Sequence, residues 1–246
     1  MTGIIGKIIA LSALFSTTAI AGTMGTISTD SWVAQLSLGP TWAHAGRSQT
    51  FDLSPEIEKA YIAHKKTKSL FNGEIFIGGQ RQFNAAIKGQ LGLALAATSN
   101  AKLRGVIWDD ADPLFENYAY RYKINHTGIM AKAALILDRG WYLNPFVSAS
   151  AGVGFNRAHG FNNFPLIFEA VPNSNFRNKT RTGFSYTLAA GVQKSWCTNW
   201  QAGVRYEFAD WGRSILGRAP EQTLNSGLRL NHLYTNGVIF HLSYIT

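Results

Sequence analysis

The groups with which this chain could do chemistry are six histidines, one cysteine and fourteen carboxylates, and their spacing limits what they can do. In Asn231-His232-Leu233-Tyr234-Thr235, an extended backbone would put His232 and Tyr234 on one face, because side chains two residues apart in a strand project together. A hydrolytic base-and-nucleophile pair would need a serine at the second place and an acid to orient the imidazole. Tyr234 stands there instead, and His126 and His241 have no convincing serine and acid partners in the sequence. Asp109, Asp110 and Asp112 invite a calcium reading, but they lack the spaced oxygen ligands and closing glutamate of an EF-hand loop. Cys197 is alone, so no internal disulfide can form, and it falls in a predicted turn, Lys194–Asn199, where a free small residue is expected. The expectation is a protein with no catalytic residue, no bound metal and no cofactor.

Two further sets of residues carry charge in a pattern. Glu74, Lys88, Lys132, Arg205 and Glu207 all fall on the polar parity of alternating segments, and Lys65, Lys66, Lys68, Arg177, Lys179 and Arg181 fall in or beside predicted loops. The segment that makes the first set intelligible is Trp200 to Trp211. Trp200, Ala202, Val204, Tyr206 and Phe208 are apolar, whereas Gln201, Gly203, Arg205 and Glu207 between them are polar or lack a side chain. Successive strand residues face opposite ways, so one face is apolar and the other carries an arginine and a glutamate.

The same rhythm recurs along the chain. It predicts strands over Ser31–Ala43, Leu70–Gln82, Ala85–Ala97, Phe115–Leu137, Trp141–Arg157, Lys179–Lys194, Trp200–Trp211 and Gly227–Thr246. Short turns alternate with longer polar segments, His44–Ser69, Thr98–Leu114, Ala158–Asn178 and Gly212–Ser226, which are expected to be outward loops. Apolar-out, polar-in strands of roughly ten residues, with turns and loops alternating, are the pattern of an outer-membrane barrel. The fold class expected is all-β: an eight-stranded antiparallel up-and-down transmembrane barrel with four longer extracellular loops and short periplasmic turns. Trp32 and Trp42 would mark the two membrane interfaces, and Pro40 requires a local interruption of pairing or a shorter strand. The strand beginning at Phe115 is too long for the bilayer, so its Tyr118-Ala-Tyr-Arg-Tyr start should project above it.

Composition agrees. Charged residues make up 15% of the chain against the roughly 25% usual in soluble domains, and aromatics reach 13%. Residues 1–21 read as a signal peptide, with Lys7 as the positive region, Ile8 to Phe15 as the apolar core and Ala19-Ile20-Ala21 as the cleavage site. The remaining residues, 22–246, form one barrel domain. The net charge of +9 resides largely in the predicted loops, where basic residues could meet lipopolysaccharide phosphates or anionic host glycans.

Three stretches resemble the OmpA and opacity-protein-like surface-antigen family of Gram-negative outer membranes: Pro145-Phe-Val-Ser-Ala-Ser-Ala-Gly-Val-Gly154, Gly203-Val-Arg-Tyr-Glu-Phe-Ala-Asp-Trp-Gly212 and Gly237-Val-Ile-Phe-His-Leu-Ser-Tyr-Ile-Thr246. The resemblance implies export to the bacterial outer membrane, insertion by the barrel-assembly machinery, and a monomeric surface protein. Barrels of this kind usually end in an aromatic residue, where this chain has Thr246. Expected partners are outer-membrane lipid, lipopolysaccharide and a host surface ligand, with no nucleic acid. An eight-stranded lumen is just wide enough to be filled by side chains, so a closed, salt-bridged interior is expected rather than a pore. The alternatives are an adhesin that binds host glycan or matrix through the basic loops, a small pore, and a lipid A-modifying enzyme of the deacylase or palmitoyltransferase type.

Overall fold

The computed structural model describes residues 30–171 and 173–246, so the signal-peptide expectation lies outside the described residues. Thirteen strands form among the described residues. In chain order they are β1 (Ser31–His44), β2 (Gln49–Ser54), β3 (Ile57–Ala63), β4 (Thr67–Asn84), β5 (Ile87–Thr98), β6 (Ala101–Asp109) and β7 (Glu116–Leu137), then β8 (Asn144–Pro165), β9 (Lys179–Ser195), β10 (Trp200–Asp210), β11 (Ser214–Ile215), β12 (Arg229–Leu230) and β13 (Tyr234–Ile245). Eight of them close a ring of antiparallel neighbours, β1-β4-β5-β7-β8-β9-β10-β13, with β13 returning to β1. Closure leaves no unpaired edge, which is the condition for a sheet to stand in hydrocarbon. The final residue completes the seam: the Thr246 amide donates to the Trp32 carbonyl and the Trp32 amide to the Thr246 hydroxyl, both at 3.1 Å.

Pro40 is accommodated without ending its strand. β1 keeps continuous pairing with β4, while its pairing with β13 skips Gly39 and Pro40 and resumes in the same register, Leu38 with Phe240 and Thr41 with Gly237. The missing N–H therefore falls where no partner needs it.

The wall has two solvents. In its lower part the outward residues are apolar, for example Leu91, Leu93 and Leu95 on β5 and Val147 and Val153 on β8, all strongly exposed. Trp32 and Trp42 bound this belt ten residues apart on β1, about 25 Å at the usual strand rise and tilt, which matches the apolar band of outer-membrane barrels. Higher up, the pattern inverts while the parity stays fixed. On β7 the outward Ile129, Leu135 and their neighbours give way to Arg121 and Lys123, and the inward Lys132 and His126 give way to Ile124, Tyr122, Tyr120 and Tyr118. On β8 the outward series Val147, Val153, Phe155 continues as Arg157.

That inversion corrects the expected loops. Thr98–Leu114 is mostly strand β6, which continues β5 and pairs with the upper half of β7; only Asp110–Leu114 is a turn, with the short 3-10 segment Pro113–Phe115 capped by Asp112. His44–Ser69 holds the β2–β3 hairpin, which adds to the edge of β6, and β8 runs on to Pro165. Gly105, Asp109 and Pro113 suggested loop because breakers outweighed an alternation whose apolar face is turned inward, opposite to the belt's. The last strand begins at Tyr234 rather than Gly227, because Gly212–Leu233 crosses over the lumen.

Candidate functional site

The lumen is built by the inward parity of the eight ring strands. At mid-height β4, β7 and β10 bring Glu74, Lys132, Arg205 and Glu207 together, each nearly sealed from solvent. Arg205 donates to Glu74 at 3.0 Å, to Glu207 at 2.9 Å and to the Ser37 hydroxyl at 3.0 Å. Lys132 pairs with Glu74, and Asn72 donates to Glu207 at 2.9 Å. Two acids and two bases thus balance with every carboxylate partnered, the condition under which charges tolerate burial. Gly191 on β9 makes room for this arrangement: a Cβ there would lie 2.2 Å from the Val204 carbonyl oxygen and 2.8 Å from the Arg205 Cβ. Lys88 belongs to the same parity but not to the cluster. It pairs at 2.6 Å with Asp138 in the turn after β7, half-exposed at the lower mouth. The Asp138 carboxyl is held below its ordinary range, chiefly by that hydrogen bond.

Polar pairs fill the lumen below the cluster, Gln80 with Gln90 at 2.9 Å and Gln193 with Gln201 at 3.1 Å. Above it Trp211 enters from the end of β10. Its indole N–H donates to the Thr235 hydroxyl at 2.8 Å, its carbonyl accepts from the Ser185 hydroxyl at 3.1 Å, and its ring lies 4.3 Å from that of His126. Gly212, with φ of 81°, turns the chain out of the barrel at the next residue. Sequence reading missed Trp211; its inward parity with Arg205 and Glu207 was the available signal.

Over Trp211 sits an apolar core. Phe51, Tyr61, Tyr120, Phe161 and Phe176 meet ring to ring in that order, two pairs stacked and two edge-on, with ring separations of 4.7–5.9 Å. The crossing segment is tied down onto β2: the Gln49 side chain donates to the Arg229 carbonyl at 2.9 Å, and the Asn225 side chain to the Asp52 carbonyl at 2.9 Å. Asp109 is engaged by Lys59 at 2.6 Å and by Asn117 at 2.7 Å, and Asp112 caps the 3-10 turn at 2.9 Å. Both carboxylates therefore have protein partners.

The basic residues of the loops divide. Lys65 and Lys66 are exposed between β3 and β4 and Lys68 is on β4, whereas Arg177 precedes β9 and Lys179 and Arg181 stand in its first residues. β4 and β9 stand on opposite sides of the ring, so these six residues make no single patch. His232 finds an acid distant in sequence, Asp210 at 2.8 Å, and stacks on Tyr234 with ring centroids 5.1 Å apart. The pair lines a notch of about 520 Å³ in the outer wall, with Arg181, Arg213 and Thr182 also on its rim.

No protein-family model and no curated protein matches the chain. Solved structures do match along nearly the whole length. Neisserial surface protein A is similar with 11% identity and a TM-score of 0.46, over 88% of this chain and 98% of that one. The outer membrane protease OmpT from Escherichia coli shows 11% identity and a TM-score of 0.46, over 92% and 100%. The attachment invasion locus protein Ail of Yersinia pestis shows 14% identity and a TM-score of 0.37, over 88% and 98%.

Proposed function

We propose that this chain is a non-conducting surface barrel of the bacterial outer membrane, whose role is structural and interactive and is exerted through the folded extension above its apolar belt. The observation that supports the reading is a lumen filled along its length: glutamine pairs, a balanced four-charge cluster, Trp211, and then an aromatic core roofed by the segment tied to β2. A channel needs a continuous wet path, and such a path would have to pass both the ion cluster and the core. The protein folded in micelles is expected to migrate as a compact band that shifts on boiling, and to give no stable conductance in planar bilayers. Porin-scale currents would refute the closed lumen; a protein that fractionates with the soluble periplasm would refute the barrel.

The Asp210–His232 pair favours a second reading, hydrolysis at the outer-wall notch, with Asp210 orienting the imidazole as a general base. The notch offers Thr182, Tyr186 and Tyr234 as hydroxyls, and none of them is hydrogen-bonded to His232, so the base would act on water. Release of fatty acid from lipid A, or cleavage of a reporter peptide, that disappears in His232→Gln is the result this reading requires; no turnover by the parent protein removes it.

A further inference from the structure

The outer face of the extension carries cations in an arrangement that folding stability does not favour. Lys102 on β6 stands directly opposite Lys123 on β7, and Arg104 opposite Arg121. Lys123 is in turn opposite His159 on β8, with Arg157 diagonal to it. Residues directly opposite in an antiparallel pair hold their Cβ atoms about 5 Å apart, and like charges at that distance destabilise the sheet. Among the described residues none of these side chains has a carboxylate within ion-pairing distance, and Arg121 alone has a ring partner, Phe164, at 4.7 Å. Partial burial, then Arg157 and Lys123, holds the His159 imidazole below its ordinary range, a sign of how crowded with positive charge the face is. A solvated surface kept only for solubility would interleave both signs; this stretch has a single sign across three adjacent strands, with the carboxylate of Glu116 on the same face of β7 only further up, beside Trp108.

Its position supplies the second observation. Arg157 is the next outward residue after Phe155, the last apolar one of the belt on β8, so it lies about 5 Å above the belt, and Lys123, opposite His159, about 10 Å above it. Directly below, in the upper half of the belt, the wall is hollowed by an apolar groove of about 550 Å³ lined by Leu36, Leu38, Ile75, Leu95, Ile129 and Phe155. The groove and the cations share β7 and β8. A ligand that satisfies both must carry acyl chains and, within about 10 Å of them, anionic groups.

We infer that Lys102, Lys123 and Arg157, with the groove beneath them, form a docking site for the phosphorylated glycolipid of the outer leaflet, the groove taking an acyl chain and the cations its phosphates. Bare phosphate or a soluble anionic glycan would use the cations and leave the groove empty. This inference rests on the outer-membrane reading, and its test begins only after the compact, heat-shifting band has shown that the barrel has folded. Failure at that earlier step counts against the barrel, and failure afterwards counts against the site alone.

The probe is diphosphoryl lipid A, titrated into the full chain folded in zwitterionic micelles and followed by native mass spectrometry beside chemically dephosphorylated lipid A. Tighter retention of the phosphorylated lipid is expected, and Lys102→Gln/Lys123→Gln/Arg157→Gln should weaken it about a hundredfold, with the preference abolished at high salt. Ala97→Trp, placed at the rim of the groove, should weaken lipid A while leaving a soluble sulfated oligosaccharide unaffected. Because these are exposed positions, each variant is expected to keep the heat-shifting band. Equal retention of the two lipids, or equal affinity in parent and triple variant, overturns the proposal. Binding of the sulfated oligosaccharide without binding of lipid A also overturns it and reassigns the face to a soluble glycan.

Discussion

Arg205 is the residue whose removal should cost the barrel most. Its guanidinium, fully buried, joins Glu74, Glu207 and Ser37, three partners on three different strands. Arg205→Met keeps much of the volume and removes the charge, so the cluster passes from two acids and two bases to two acids and one base. Lys132 stays with Glu74, and Glu207 is left with only the Asn72 amide. Breaking a buried pair by deleting one partner typically costs about 3–5 kcal/mol, most of it the desolvation of the charge left behind. If that is the source of the loss, removing the stranded charge should return it. Arg205→Met/Glu207→Gln is therefore expected to be more stable than the single variant, recovering more than half the deficit. The assay is urea unfolding in micelles, followed by tryptophan fluorescence and by the fraction of compact band on unboiled gels. A single-variant loss below about 1 kcal/mol, or a double variant no more stable than the single, would mean that the lumen is wet enough to solvate Glu207 and that the balanced cluster does not hold the barrel shut.

Trp211→Ala should cost about 3–5 kcal/mol through the cavity it leaves and the Thr235 hydroxyl it strands, yet leave bilayer conductance negligible because the ion cluster still blocks the path below; a stable new current would make the indole the seal. Asp138→Asn tests the lower mouth by its pH dependence. Because the folded carboxyl is held below its ordinary range by Lys88, the stabilisation is present at neutral pH and is lost as pH falls through the lowered folded value. Parent and variant should differ by less than about 1 kcal/mol at pH 7, and the gap should close in acid; a gap that widens on acidification would reverse the argument.

How much of this was legible in the sequence depends on which solvent the wall faces. In the belt, polar-in and apolar-out alternation is tied to position, so the eight ring strands and the inward set Glu74, Lys132, Arg205 and Glu207 could be read from parity. That parity fixed a face and not a neighbour: Lys88 shares it and pairs elsewhere, because height along the tilted strand decides who meets whom. In the extension the same parity carries the opposite hydrophobicity. Ala101, Leu103 and Ile107 point inward with Lys102 and Arg104 outward, and a reader expecting the belt's pattern sees a broken strand. The Asp210–His232 pair is hidden for a different reason: the acid lies 22 residues from the histidine in sequence, across the crossing segment, and no local spacing announces it.

The fixed parity of β7 and β8 has a consequence for how the barrel reaches its place. Their hairpin must bring Arg121, Lys123 and Arg157 to the far side of the bilayer on the face that, lower on the same strands, meets lipid. Each such cation on the lipid side of a barrel costs about 2–4 kcal/mol at mid-membrane, so a hairpin sliding through bare hydrocarbon would face those costs together. Those costs favour a route in which the outer face of the upper half is shielded until it is across. In such a route the apolar belt is the last part of the wall to meet lipid.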